Sequence, residues 1–283
     1  PKIFDDLYCN MVNAGEVGGL LDTILARLSK HIEKAMKLKS QIKSAMVYPA
    51  AICGIAAIVI TVLMIWVIPV FEKMFKEMSG GKMALPGPTQ LVIDMSNFAQ
   101  SYWFIILGAI VGGVIVFKKY YATAQGRLTI DKIVLKLPVF GDLIRKASVA
   151  KFTRTLGTLI TSGVPLLEAL SICAKTAGNK VIENVLMDAR VSISGGKTIS
   201  EPLAKSEAFP KMVTHMIAVG ESTGALDNML GKIADFYEDE VDAAVTNLTA
   251  LLEPMMMVFL GVTVGFIVIA MYLPIFTMAS AIG

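Results

Sequence analysis

The chain repeats itself, and the repeat restricts what it can fold into. Gly15-Glu16-x-x-Gly19-x-Leu21-Asp22 returns 205 positions later as Gly220-Glu221-x-x-Gly224-x-Leu226-Asp227. Without a gap, the same offset pairs Leu25 with Leu230, Glu33 with Glu238, Pro49 with Pro254, Pro69 with Pro274 and Phe71 with Phe276. In both copies a polar amphipathic stretch leads into a long apolar one. The expected architecture therefore uses one unit twice, a polar helical part feeding a span. The second copy starts near Ser148, so the matching start of the first would fall about 58 residues before Pro1. The chain reads as lacking most of its first polar domain.

The apolar parts are long enough to decide the class. Only 17% of the residues are charged, where a soluble domain carries about a quarter. Residues 44–71, 95–117 and 254–283 contain no charge. A helix needs roughly 20 such residues to cross a hydrocarbon core of about 30 Å. Spans are expected over 44–71, 98–117 and 254–276. Tyr102 and Trp103 at one end of the second, and Lys118-Lys119 at the other, have the character of interfacial anchors.

Basic residues set the expected orientation. Of the 26 Lys and Arg, 23 lie in 1–43 and 118–253. The segment 72–97 has Lys73, Lys76 and Lys82, offset by Glu72, Glu77 and Asp94. The rule that positive flanks stay inside then places 1–43, the end of a first helical domain, and 118–253, a second helical bundle, in the cytoplasm. The loop 72–97 and the tail 277–283 fall on the far side. Juxtamembrane basic residues answer to anionic lipid, so the net charge of +3 does not point to nucleic acid. Cys9, Cys53 and Cys173 have no metal or redox spacing and are expected to be free thiols.

Residues 148–253 read as all-helical. Val149, Phe152, Leu156, Leu159 and Ile160 keep helical spacing. Ser162-Gly163 stops that helix, and Pro165 suits the first turn of the next. Further stops fall at Gly178, Gly195-Gly196 and Gly224. In the last helix Leu226, Met229, Leu230, Ile233, Tyr237, Val241, Val245, Leu248 and Leu252 form an apolar stripe. Asp235, Glu238, Asp239 and Asp242 lie on the other side and are expected to be solvated. The fold class is therefore all-α, a three-span membrane protein with antiparallel cytoplasmic helix bundles and a duplicated unit.

Several motifs invite chemistry and decline it. Ser194-Gly195-Gly196-Lys197-Thr198 has the end of a phosphate loop, but Val191 stands where the first glycine belongs and a helix precedes it. A helix stop explains it better. Glu16 and Glu221 sit in matched turns, each followed by Asp22 or Asp227 in a helix first turn, where a carboxylate is favourable. These turns, with Gly15, Gly19, Gly220 and Gly224, are candidate docking features as well. His31 and His215 are isolated from other ligand types. No cofactor or metal is called for. Ala50-x-x-x-Gly54, Gly108-x-x-x-Gly112 and Gly261-x-x-x-Gly265 allow close helix approach, within or between chains. No charged residue or histidine lies in a span core, which argues against a transporter or channel subunit. No catalytic constellation appears.

These features as a set resemble the PilC/GspF family: two helical units each followed by a span, Ser162-Gly163-Val164-Pro165-Leu166-Leu167-Glu168-Ala169-Leu170 in the second, and Gly-Glu-x-x-Gly-x-Leu-Asp in both. Tyr48-Pro49 and Glu253-Pro254 before the spans, and Pro69 and Pro274 after them, fit it too. The resemblance covers essentially the whole chain. It implies a non-enzymatic platform in a bacterial inner membrane, at the base of a type IV pilus or type II secretion machine. Tyr8-Cys9-Asn10-Met11-Val12 before Asn13-Ala14-Gly15-Glu16 is closer to the pilus branch. The implied partners are a cytoplasmic hexameric ATPase, pilin transmembrane helices, other inner-membrane pilus components and further copies of the chain. Asp235, Asp239 and Asp242 are the candidate ATPase-facing carboxylates.

Overall fold

In a computed structural model, residues 6–19, 21–78 and 85–282 are described, and nearly all are helical, with no strand among them. Leu20 in the first motif, residues 79–84 of the expected loop and Gly283 of the expected tail lie outside the described residues. The helices are α1 (Asp6–Gly18), α2 (Leu21–Val62), α3 (Ile68–Met78), α4 (Gly87–Tyr121), α5 (Ala124–Lys136), α6 (Phe140–Thr161), α7 (Leu166–Thr176), α8 (Lys180–Ser194), α9 (Ser200–Lys205), α10 (Lys211–Thr223) and α11 (Leu226–Ile282). A π-turn, Leu63–Val67, separates α2 from α3. The chain divides into two compact units, residues 1–43 with 120–248, and residues 44–119 with 249–283.

The first unit is a helical bundle with an ordinary core. Leu156, Leu159, Leu170, Leu186, Leu203, Ile217, Leu230 and Ile233 are fully buried, and Leu7, Met11, Ile24 and Leu28 of α1 and α2 join the same cluster. Phe152 and Phe209 meet edge to face at 5.5 Å. Glycine ends its helices as the spacing predicts. At Gly163 (φ 81°) the Val164 N–H bonds the Leu159 carbonyl, and at Gly196 (φ 78°) the Lys197 N–H bonds the Ser192 carbonyl. Both are Schellman closures, which need a residue free to adopt positive φ. The Gly-Gly-Lys-Thr segment is thus a helix stop that follows α8. One helix escaped the sequence reading: α5, with α6 beginning at Phe140 and not near Ser148.

The second unit exposes most of its apolar surface. Among the described residues three helices are long and apolar enough to cross a membrane, within Leu21–Glu77, Gly87–Tyr121 and Leu226–Thr277. Ile55, Ile58, Trp66, Phe104, Ile105, Val116, Val258, Val262 and Phe276 all stand outward. The buried part is small: Ile68, Val92, Ile93, Ile267, Ala270 and Met271. α4 leaves helical geometry at Tyr102 (φ −116°, ψ 18°), the residue at which the second apolar core begins. It starts as early as Gly87, so much of the expected 72–97 segment is helical.

Candidate functional site

The two motif turns have the same geometry. Gly19 (φ 66°) and Gly224 (φ 73°) are left-handed, which only glycine adopts without strain. A Cβ on Gly15 would lie 3.1 Å from the Ile24 side chain and 3.3 Å from Leu21 Cα. A Cβ on Gly220 would lie 3.2 Å from the Met229 side chain and 2.9 Å from Leu226 Cα. Each glycine lets the helix before the turn press on the helix after it, at matched positions. Glu221 uses its carboxylate locally: Oε1 accepts from the Ile199 N–H and Oε2 from the Ser200 N–H (3.1 Å), capping α9. Glu16, Asp22 and Asp227 are exposed.

Beyond the turns, the matched helices face each other. Lys34 Nζ on α2 reaches Asp235 Oδ1 at 3.0 Å and Glu238 Oε2 at 3.1 Å on α11. Arg154 of α6 closes the group, with Nε on Glu238 Oε1 at 2.7 Å and a second nitrogen on Asp235. One turn or two further along, Gln41 Nε2 donates to Asp242 Oδ2 at 3.0 Å. The partners of Lys34 and Gln41 are 201 to 204 positions on, close to the repeat offset. α2 and α11 therefore run parallel here, near-equivalent positions opposed. Burial works against the Arg154 charge, but the hydrogen bonds to Glu238 and Asp235 outweigh it and hold its pKa above the ordinary value.

Asp235 and Asp239 are exposed, as expected of a solvated face, and Asp242 is half-buried; Asp235 and Asp242 are in addition engaged within the chain. A signal was available. Residues 21–43 hold six basic and two acidic residues, and residues 226–248 hold one basic and six acidic. Repeats of opposite charge are suited to pair with each other. Beside the ion pairs lies a cleft of about 480 Å³ between α2, α6 and α11, lined by Lys30 and the buried His31 among others. His215 is exposed.

In the membrane-type unit the matched residues are prolines. A proline has no N–H for the carbonyl four residues back. For Pro274 that carbonyl is Ala270, and it accepts from Thr89 Oγ1 of α4. For Pro69 it is Ile65, which accepts from Gln100 Nε2 of α4 at 3.5 Å. The Ile68 N–H bonds Leu63, one residue further back than in an α-helix, which makes the π-turn. The Met64 carbonyl then takes Ser96 Oγ and Gln100 Nε2. So α4 supplies a donor to the break in each copy, as a low-water setting demands. Cys53 Sγ and Met256 Sδ, 203 positions apart, stand 3.9 Å from each other. The glycines singled out for close packing do not achieve it here: a Cβ on Gly54, Gly108, Gly112, Gly261 or Gly265 would meet nothing within 4 Å.

Among the described residues no group of three or more His, Cys, Asp or Glu could hold a metal ion. All three cysteines are free, and burial pushes the Cys173 thiol far up.

The chain is similar in sequence to known proteins. A family model described as type II secretion system (T2SS), protein F, matches residues 1–69 and 152–274. Over its full length the chain is 54% identical to the type IV pilus assembly protein PilC of Myxococcus xanthus, covering 67% of that protein. It is 41% identical to the PilC of Pseudomonas aeruginosa, covering 75% of it. To the type II secretion system protein F of Xanthomonas campestris it is 33% identical, covering 69% of it.

Proposed function

Since the chain belongs to the type II secretion system protein F family, we propose that it is the inner-membrane platform of a type IV pilus machine. It couples a cytoplasmic hexameric ATPase to the insertion or removal of pilin, and it does so through contacts, with no reaction of its own. The observation that carries the pilus reading is the gradient of identity: 54% to a pilus assembly protein against 33% to a secretion protein. The secretion platform is the second reading, and the 33% match over almost the whole chain is what favours it.

The bundle of the first unit is the cytoplasmic part that receives motion. α11 is one helix from Leu226 to Ile282, running through Pro254 and Pro274, and is the path by which displacement passes from the bundle to the apolar segment. Asp235 and Glu238, tied to Lys34 and Arg154, make α2 and α11 move together. Asp239, exposed beside them, is left to meet the ATPase. The open faces at Gly108, Gly112, Gly261 and Gly265 suit pilin helices or further copies of the chain.

Deleting the gene should abolish surface pili and twitching, and the full-length protein should restore both and co-purify with the ATPase. Asp239→Lys should lower pilus yield at normal protein level. Intact pili with a secretion defect in the deletion strain would transfer the reading to type II secretion. Wild-type piliation in Asp239→Lys would remove that carboxylate from the coupling surface.

A further inference from the structure

We propose that the corner joining α5 to α6 dips into the headgroup layer of an anionic bilayer. Lys136, Leu137, Pro138, Val139 and Phe140 are five consecutive exposed residues, four of them apolar. Ile133, in the last turn of α5, is exposed as well. The opposite side of α5 is covered: Asp131 is buried, Leu128, Val134 and Leu135 are half-buried, and Asp131 Oδ2 accepts the Lys180 N–H at the start of α8 at 2.6 Å.

The backbone makes the exposure harder to dismiss. Val139 has φ 68°, the only positive value at a non-glycine among the described residues. A β-branched residue is strained there, and glycine would hold the turn without strain. Val139 does not pack into the bundle core; 47% of it is exposed. Its side chain is kept for something outside the chain.

Charge names the occupant. From Lys118 to Lys136 there are five basic residues and one acidic residue, Asp131, which is buried. Lys132 and Lys136, both exposed, adjoin Ile133 and Leu137 in the sequence. Apolar groups set among lysines are what an anionic lipid surface binds. Chain continuity agrees: α5 begins three residues after α4, one of the apolar helices, ends. A protein partner or second copy would not require this excess of one sign.

The proposal rests on α4 crossing a bilayer, and the test keeps the two apart. The full chain, with Cys9→Ser and Cys53→Ser, is placed in liposomes of phosphatidylcholine with phosphatidylglycerol. It carries a nitroxide at Val139→Cys, Ile110→Cys of α4, or Val191→Cys on the exposed face of α8. Relaxation by oxygen is compared with relaxation by a water-soluble nickel chelate. The label at 139 should favour oxygen and sit about 5–10 Å into the headgroup boundary, with 110 deeper and 191 in water. It should rise toward water when phosphatidylcholine alone is used, or in Lys132→Glu with Lys136→Glu. Val139→Gly relieves the backbone, so it should keep the fold yet bring a label at Phe140→Cys closer to water. A label at 139 as wet as 191, one shielded from both reagents, or one equally deep without phosphatidylglycerol overturns the proposal. Water at 110 as well would overturn the spanning reading of α4 itself.

Discussion

Two helices carry the same apolar stripe and spend it differently. Leu230 is fully buried, and its counterpart Leu25 is 40% exposed. Val241 is fully buried, and Met36 at the matching position is 65% exposed. Ile233 and Leu28 are both buried. On α11 the stripe is covered by the bundle. Among the described residues of α2 that match it, Ile24 and Leu28 are covered. Apolar spacing therefore states which side of a helix can be buried, and the neighbouring helices decide how much of it is. What the two helices share is their contact with each other, held by opposite charge.

The sharpest way to break this comparison is truncation at matched positions. Leu230→Ala should cost about 2–5 kcal/mol, as large-to-small changes in a packed core do, and Leu25→Ala under about 1 kcal/mol. Thermal unfolding of the detergent-solubilised chain reads the difference, and equal losses would mean the two environments are alike. The turns come next. Gly220→Ala should cost about 1–3 kcal/mol, because the new methyl comes within 2.9 Å of the Leu226 backbone; Gly15→Ala should cost less, since its matched backbone contact is 3.3 Å away.

The ion-paired group gives a smaller effect. Arg154→Met leaves Asp235 and Glu238 with Lys34 alone, in a half-buried setting. A loss of about 1–2 kcal/mol is expected, between the exposed and buried limits. Lys34→Met should lose under about 1 kcal/mol. Salt titration of the difference checks the electrostatic origin. Of similar size is Thr89→Val, which removes the donor to the Ala270 carbonyl behind Pro274. About 0.6–1.7 kcal/mol is expected, read by unfolding in lipid nanodiscs.

Much of this fold was legible beforehand. Helix stops at Gly163, Gly196 and Gly224 followed from glycine chemistry, and the spans followed from charge-free length. α5 was missed because its apolar residues are only partly covered: Leu128, Ile130, Val134 and Leu135 are half-buried and Ile133 is exposed, while the polar Asp131 faces in. The π-turn before Pro69 was equally hidden. Proline predicts an orphaned carbonyl, but not that α4 supplies its donor. Asp235, Glu238 and Asp242 were assigned to the correct helix side. Their partners on α2 and α6 are tertiary facts, visible in the sequence only as a contrast of charge between two repeats.

The central claim is that matched stretches of α2 and α11 lie parallel, near-equivalent positions opposed. The direct measurement is cysteine cross-linking in native membranes, with Cys9 and Cys53 replaced by serine. Gln41→Cys with Asp242→Cys should couple rapidly under mild oxidation or with a short thiol linker, since the native side chains hydrogen bond at 3.0 Å. Gln41→Cys with Asp235→Cys should not, because those positions lie about two turns apart along a parallel pair. Coupling of 41 to 235 in preference to 242 would contradict the account.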